Sequence, residues 1–191
     1  LVIVFSMFPL STLAATIGQH FQTPEAGWIR YDDKSPELEY AGNWSISSPH
    51  NNSHYGGDSS FVKNPNGDET LSFDFTGESL RIISYRTNSY GYSFIITIDG
   101  VSEHITIPAV STPAFRRMIY EKTNLENTRH SVLIEAGPMN IDAIDINANG
   151  MLIHSDSPEA PVNFTALSDI EQVTLSWNES MDADNYIISR S

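Results

Sequence analysis

The sequence predicts an all-β fold of antiparallel strands, and three observations carry this prediction. Thr70–Phe75 alternates between apolar and polar residues, as a half-buried strand requires. Asp99-Gly100 separates two β-branched segments, Tyr92–Ile98 and Val101–Ile107, and this dipeptide favours a type I′ hairpin turn. No stretch of about 10–12 residues carries a helical repeat. Because strand-like segments recur roughly every 8–12 residues, the fold expected is a β-sandwich or a β-barrel.

The remaining strands follow from shorter patterns. In Ser79–Arg86 the alternation slips between Ile82 and Ile83, which indicates a strand buried on both faces or a β-bulge. Three further segments have the apolar and β-branched composition of strands: Phe115–Tyr120, His130–Glu135 and Ile141–Ile146. Ser47–Asp68 lacks periodicity and predicts a long loop. Such loops are often functional, although a surface excursion without a role fits the same composition.

The N-terminal residues predict an exported protein. Residues 1–15 contain a short apolar run followed by Ser11-Thr12-Leu13-Ala14-Ala15, the pattern of a signal peptide without its basic first region. The alternative is a membrane anchor, but a spanning helix needs about 20 apolar residues and this run is shorter. We therefore expect a secreted or cell-surface location, with no membrane insertion after signal cleavage. The absence of cysteine fits a bacterial exported protein.

Charge and composition exclude several classes of partner and chemistry. The chain has 24 acidic and 10 basic residues, a formal net charge of −14. This argues against nucleic acid and anionic membranes as partners, because Lys and Arg drive binding to phosphate. With no cysteine, the chain forms no disulfide, thiolate metal site or cysteine nucleophile.

Several motifs stand in a consistent order along the first part of the chain: Tyr40-Ala41-Gly42-Asn43-Trp44, Phe73-Asp74-Phe75-Thr76-Gly77, Ile98-Asp99-Gly100, Arg129-His130-Ser131-Val132-Leu133-Ile134 and Ile141-Asp142-Ala143-Ile144-Asp145-Ile146. With these motifs, residues 27–149 resemble the galactose-binding-like β-sandwiches, which include carbohydrate-binding modules and discoidin-like domains. The resemblance implies an antiparallel jelly-roll β-sandwich over residues 16–154. It also implies ligand sites in loops at one end of the sandwich.

A second pattern begins after a Pro-punctuated linker at residues 155–161. Val162–Leu167, Val173–Asn178 and Tyr186–Ser191 resemble the first three strands of a fibronectin type III domain. That module needs about 100 residues. We therefore expect residues 162–191 to be the N-terminal part of a truncated immunoglobulin-like sandwich within a larger multidomain protein, whose other domains are partners of this one.

The sequence carries little that indicates catalysis. His50 and His54 have a metal-like spacing, but no Glu lies between them as in a zinc protease. No Gly-x-Ser-x-Gly elbow occurs. We expect a non-catalytic carbohydrate-binding module with a fibronectin type III spacer. The alternatives are a structural or adhesive module that contacts protein, and an accessory region of a glycoside hydrolase whose catalytic domain follows residue 191.

A sugar site needs an aromatic platform beside planar hydrogen-bonding groups. Two loops offer these, and for a polysaccharide or cell-surface glycan we expect the following ligand-binding residues: His54, Tyr55, Arg86, Asn88, Tyr90 and Tyr92. A turn position for Tyr90 and a solvated charge for Arg86 are the alternatives. Four large aromatic residues are expected to pack in the core: Trp28, Trp44, Phe61 and Tyr85. His130 is expected to be a packed structural residue.

The resemblance also implies a structural Ca²⁺ near the first strand and a late loop. Calcium takes six to eight oxygen ligands, and Asp32, Asp33 or Asp142 would supply carboxylates. No other cofactor is expected.

Overall fold

The computed structural model describes residues 15–47, 53–154, 161–169, 172–178, 180, 183 and 186–188. The regular elements of these residues are strands, which confirms the all-β prediction. In chain order they are β1 (Trp28–Asp32), β2 (Glu39–Ala41), β3 (Ser45–Ile46), β4 (Ser60–Val62), β5 (Thr70–Gly77), β6 (Leu80–Arg86), β7 (Tyr92–Ile98), β8 (Val101–Ile107), β9 (Ala114–Lys122), β10 (Thr128–Ala136), β11 (Met139–Ile141), β12 (Ala143–Asn147), β13 (Met151–Ile153), β14 (Thr165–Asp169) and β15 (Gln172–Ser176).

Two antiparallel sheets enclose one hydrophobic core. The first has the strand order β1-β12-β6-β9, and the second β13-β5-β10-β7-β8, with β2 also paired to β5. Strand β5 shows how the sequence pattern builds this core. Its residues Leu71, Phe73 and Phe75 are buried, while the residues between them are only partly covered, because alternate side chains point to opposite faces of a sheet.

The slip of alternation in β6 marks both a β-bulge and burial on both faces of the strand. The pairing of β6 with β9 shifts register between Ile82 and Ile83, as at a β-bulge. Both side chains are fully buried, Ile82 in the main core and Ile83 in a second cluster with Phe21 and Met118. Strand β6 is therefore covered on both of its faces.

A third, short sheet includes part of the segment that was expected to be a loop. Its order is β11-β4-β3, so the prediction of a strandless Ser47–Asp68 is wrong for Ser60–Val62. The expected strand Ile141–Ile146 is present but interrupted at Asp142, so that Ile141 ends β11 and residues 143–146 lie in β12. There the Asp142 amide donates to the Ile83 carbonyl at 2.9 Å, and the Asp142 carboxylate accepts from the Tyr55 amide at 2.8 Å.

The predicted hairpin between β7 and β8 is present. Asp99 and Gly100 have φ values of 50° and 77°, and a type I′ turn needs positive φ at both central positions. Asp99 also contacts β10 through its carboxylate, which accepts from the Ser131 amide at 3.0 Å and lies 2.6 Å from Nδ1 of His130. His130 is 4% exposed and its other ring nitrogen lies 2.8 Å from the Glu126 carbonyl, so the structure agrees with a packed structural role.

The residues after 160 form a separate two-stranded sheet. Strands β14 and β15 pair in antiparallel register, and the ring of Trp177 contacts those of Phe164 and Tyr186, with centroids 6.3 and 5.2 Å away. A fibronectin type III domain over 162–191 stays a prediction, as do the domain limits. Residues 1–14 of the expected signal peptide and 155–160 of the expected linker lie outside the described residues. Within the described ranges, no helix is long and apolar enough to cross a membrane.

The contact between His130 and Asp99 makes stability depend on pH. Burial lowers the pKa of His130, but the hydrogen bonds to Asp99 and to the Glu126 carbonyl outweigh it, and the net pKa is raised. Between the unfolded pKa of about 6.5 and this raised value, the native state binds more protons than the unfolded state. The free energy of unfolding should therefore fall as the pH rises through that window.

Urea unfolding across a pH series checks this expectation. In Asp99→Asn the turn residue and the acceptor for the Ser131 amide are retained, whereas the carboxylate charge is lost. We expect this variant to show a weaker decline of the free energy of unfolding as the pH rises from about 6.5, the unfolded-state pKa, to the raised native pKa. Identical pH profiles for the variant and the parent protein would contradict the assignment.

Candidate functional site

The main candidate site is a pocket of about 460 Å³ where the third sheet meets the segment between β6 and β7. Its volume lies in the usual range for small-molecule sites. Most of its lining is aromatic or aliphatic, and the rest is neutral and polar: Ile46, Ser47, Phe61, Tyr85, Thr87, Tyr90, Tyr92 and Asn140. None of these described lining residues is Asp, Glu, His, Lys or Arg.

Two side chains at and just after the end of β6 reach the pocket. Tyr85 and Thr87 are two residues apart and both line it, whereas Arg86 between them points elsewhere. The guanidinium of Arg86 donates to the Pro108 carbonyl at 2.8 Å. Tyr90 then lies beside Tyr92 at the start of β7, with ring centroids 6.0 Å apart and planes inclined by 49°.

A chain of hydrogen bonds centred on Asn140 holds the pocket walls together. The Asn140 side chain is 3% exposed, accepts from the Tyr85 amide at 2.9 Å and donates to Oγ of Ser59 at 2.7 Å. Ser59 in turn contacts the hydroxyl of Ser47 at 3.0 Å. One amide therefore links β11 to β6 and, through Ser59, to the segment that precedes β4.

A second layer of side chains supports Tyr85 from behind. The ring of Tyr85 contacts that of Phe115, with centroids 4.7 Å apart, and that of His54 at 5.7 Å. His54 is 2% exposed, its carbonyl accepts from Arg116 at 2.8 Å, and its Nδ1 lies 3.3 Å from the Asp142 carboxylate. His54 therefore packs beneath the pocket wall and does not line the pocket.

The structure brings two of the six expected ligand-binding residues into the pocket, Tyr90 and Tyr92. Tyr92 is only 3% exposed and its hydroxyl donates to the Tyr85 carbonyl, so its ring forms part of the pocket wall. Asn88 is exposed in the same loop without lining the pocket. Tyr55 lies in the second hydrophobic cluster, where the Arg30 guanidinium is 5.6 Å from its ring.

Sequence reasoning placed two of the pocket residues, Phe61 and Tyr85, in the core. Both are only partly buried and line the pocket, so that expectation is wrong for them. Trp44 does pack against the core, and its indole donates to the Thr70 carbonyl at 3.0 Å. Trp28 is partly buried outside the core clusters, with the Arg81 guanidinium 3.8 Å above its ring.

The sequence contains one signal of the pocket's hydrogen-bond network, which the sequence prediction did not include. Asn140 interrupts the apolar segment Met139–Ile141, and a buried amide in such a segment must find partners of its own. Its hydrogen bonds are the ones that hold the pocket. The aromatic residue at 61 carries no comparable signal, because β4 has only three residues and is too short to show a period.

The three aspartates that were expected to bind calcium lie near one another but have other partners. Asp33 accepts from Oγ of Ser60 at 2.7 Å, and Asp142 accepts from the Tyr55 amide at 2.8 Å. Burial raises the pKa of Asp33 to about 7, and the charges of Asp32, Asp58 and Asp142 add to this rise. Burial likewise raises the pKa of Asp32.

Geometry tests whether these residues fit a calcium ion. Asp33 Oδ1 and Asp142 Oδ2 are buried oxygens without a hydrogen-bond partner, as an ion ligand would be. However, among the described residues no group of three or more His, Asp or Glu side chains is arranged to hold a metal ion. The residues therefore do not fit a calcium site as they stand, and the expectation of structural calcium stays a prediction.

Comparison with known proteins identifies the fold. No protein-family model and no curated protein matches the sequence. A family 35 carbohydrate-binding module from Cellvibrio japonicus Abf62 superposes with a TM-score of 0.51 and 13% identity, over 65% of this chain and 96% of that one. A family 35 module from Clostridium thermocellum has a TM-score of 0.49 and 15% identity, over 63% and 98%. An exo-β-1,3-galactanase from Phanerochaete chrysosporium gives 0.47 and 15%, over 63% of this chain and 29% of that one. The chain thus has the β-sandwich fold of carbohydrate-binding modules.

The Asn140 network predicts a specific cost of substitution. Asn140→Ala leaves the Tyr85 amide without its acceptor and removes one hydrogen-bond partner of Ser59 Oγ, and each loss costs about 1–3 kcal/mol. We expect the free energy of unfolding to fall by about 2–4 kcal/mol in total, measured by urea denaturation. Asn88→Ala is the control, because Asn88 is the same residue type, is exposed and does not line the pocket, so that its loss should cost about 0.5 kcal/mol or less. Equal losses in the two variants would contradict the central position of Asn140.

Proposed function

We propose that this chain is a non-catalytic carbohydrate-binding module and that the aromatic pocket receives a sugar ring. The observation that carries the proposal is the composition of the pocket, in which four aromatic rings stand beside small neutral hydrogen-bonding groups. The C–H faces of a sugar stack on aromatic rings, while hydroxyl and amide groups fix its orientation. The fold of known carbohydrate-binding modules supports the same function.

The pocket chemistry also favours binding over catalysis. Glycoside hydrolysis uses two carboxylates flanking the scissile bond. The described lining residues include no Asp, Glu or His. A sugar held here would meet rings and hydroxyl groups, which bind and orient it without moving protons.

Convergence of the tyrosines favours a sugar site over a protein-contact or adhesive surface. Tyr90 lines one pocket with Tyr85 and Phe61, and the buried Tyr92 forms part of its wall. In a structural module without a site, these rings would be scattered. Tyr55 does not share the pocket. The concave form supports a ligand of small width such as a polysaccharide chain or a glycan branch.

The proposal extends to the context of the module. An exported protein with this domain, a fibronectin type III spacer and further domains would hold its polypeptide close to a polysaccharide or a cell-surface glycan. Such tethering raises the effective concentration of substrate for any enzyme linked to it. An accessory role beside a glycoside hydrolase domain is one form of this function.

Affinity gel electrophoresis against soluble polysaccharides tests the proposal. We expect retardation by at least one of galactan, arabinan, xylan, mannan and glucan. Tyr90→Ala should weaken binding about tenfold, because an aromatic contact contributes roughly 1 kcal/mol beyond its buried area and each 1.4 kcal/mol is tenfold. Tyr90→Phe should retain most of the affinity, since it keeps the ring.

Asn88→Ala is the matched control, because Asn88 is exposed in the same loop and does not line the pocket. Its affinity and its melting temperature should equal those of the parent protein. A folded protein that no polysaccharide retards would refute carbohydrate binding. An equal loss of affinity in Asn88→Ala and Tyr90→Ala would place the site elsewhere.

A further inference from the structure

The electrostatics of the pocket carry a conclusion about which sugars it accepts. Among the described residues that line it, Ser47, Thr87 and Asn140 are the polar ones that are not aromatic, and none carries a charge. A sugar acid such as a uronate would bring a carboxylate into this pocket. A charge that leaves water is strongly disfavoured unless a cation or several donors pair with it.

The arginine that could have served as that cation does not line the pocket. Arg86 lies between two pocket residues in the sequence but is not among the lining residues. Its guanidinium donates to the Pro108 carbonyl at 2.8 Å. Arginine is the residue that pairs best with carboxylates, because two of its N–H groups match the two oxygens.

The overall charge of the chain acts in the same direction. The chain carries a formal net charge of −14, and a negatively charged protein repels an anionic polymer. The acidic residues near β4 add little to this repulsion, because Asp58 is paired with Lys34 and burial raises the pKa of Asp33 to about 7.

The polar groups of the pocket can form hydrogen bonds with the hydroxyl groups of a neutral sugar. The Asn140 amide is already bonded to Ser59 and to the Tyr85 amide, and Oγ of Thr87 accepts from the Ser89 amide at 3.1 Å. The Thr87 O–H is still a donor. Burial, with the neighbouring Tyr85, raises the pKa of Tyr90, so its phenol stays neutral and both donates and accepts.

Because this lining is neutral and Arg86 donates to the Pro108 carbonyl outside it, we infer that the pocket selects uncharged sugars and discriminates against uronic acids. The inference rests on the proposed carbohydrate-binding function and names its ligand class. The bound sugar presents a C–H face to the rings and hydroxyl groups to Thr87 and Tyr90. A carboxylate at C6 of the same sugar lowers the affinity.

Matched polymer pairs test this selectivity in the full chain. Polygalacturonate, polymannuronate and polyglucuronate are each compared with the neutral polymer made from them by carboxyl reduction, so that linkage and backbone are shared within a pair. We expect at least one reduced polymer to bind, with its acidic parent about tenfold weaker or more. Binding of the neutral form should change little with salt concentration, because no ion pair contributes.

Two lysine variants separate the pocket from the overall charge. Ile46→Lys introduces a cation into the lining at an exposed position, whereas Asn88→Lys adds the same charge to the exposed loop outside the pocket. We expect Ile46→Lys to reduce severalfold the difference in affinity between the acidic polymer and its reduced partner, and Asn88→Lys to leave that difference nearly unchanged. Melting temperatures confirm that both variants are folded.

The outcomes distinguish a failure of the selectivity from a failure of carbohydrate binding itself. An acidic polymer that binds as tightly as its reduced partner, or more tightly, overturns the selectivity while carbohydrate binding stands. Equal effects of the two lysine variants also overturn it, since discrimination would then come from net charge and not from the pocket. Failure of every polymer to bind the folded chain overturns the proposed function and this inference together.

Discussion

The buried amide of Asn140 is the interaction on which the candidate site depends. It lies in β11, a strand of three residues in the third sheet, and it bonds to the Tyr85 amide and to the Ser59 hydroxyl. A buried amide without partners is costly, so satisfying it fixes the distance between the two walls of the pocket. The backbone carbonyl of Asn140 also accepts from Ser84 at 2.7 Å, which ties the same point to β6 a second time.

The aspartates beneath the pocket have a related mechanical role. Asp142 separates β11 from β12. Its carboxylate accepts from the Tyr55 amide, and this hydrogen bond holds the 53–58 segment against the sandwich. At 1.7 Å from the Asp32 carboxylate, the position of a Cβ on Gly56 leaves no room for a side chain. In this position His54 packs against the rings of Tyr85 and Phe115, and this packing supports the pocket wall. Burial, and after it the charges of Asp32, Asp58 and Asp142, disfavours the charged form of Asp33 and raises its pKa.

The sequence allowed the regular part of the fold to be predicted and much less of the site. Strands with clear alternation or a strong turn signal, such as β5 and the hairpin at Asp99-Gly100, were correct because local periodicity reports which face is buried. The short strand β4 and the break at Asp142 depend on partners far along the chain, which no local pattern encodes. Tyr85 and Phe61 were misassigned for a similar reason, since an aromatic residue at the rim of a core and one inside it look alike in sequence.

The most direct test of the account is an amide NMR titration of the labelled full chain with neutral oligosaccharides that it binds. The account predicts that shifts change first at the backbone amides of pocket residues, above all Tyr85, Thr87 and Tyr90, and in the neighbouring β4. The outer face of β7 and β8, whose residues His104 and Ile95 lie away from this pocket, should stay unchanged. Changes confined to that outer face would contradict the claim that the Asn140-centred pocket is the binding site.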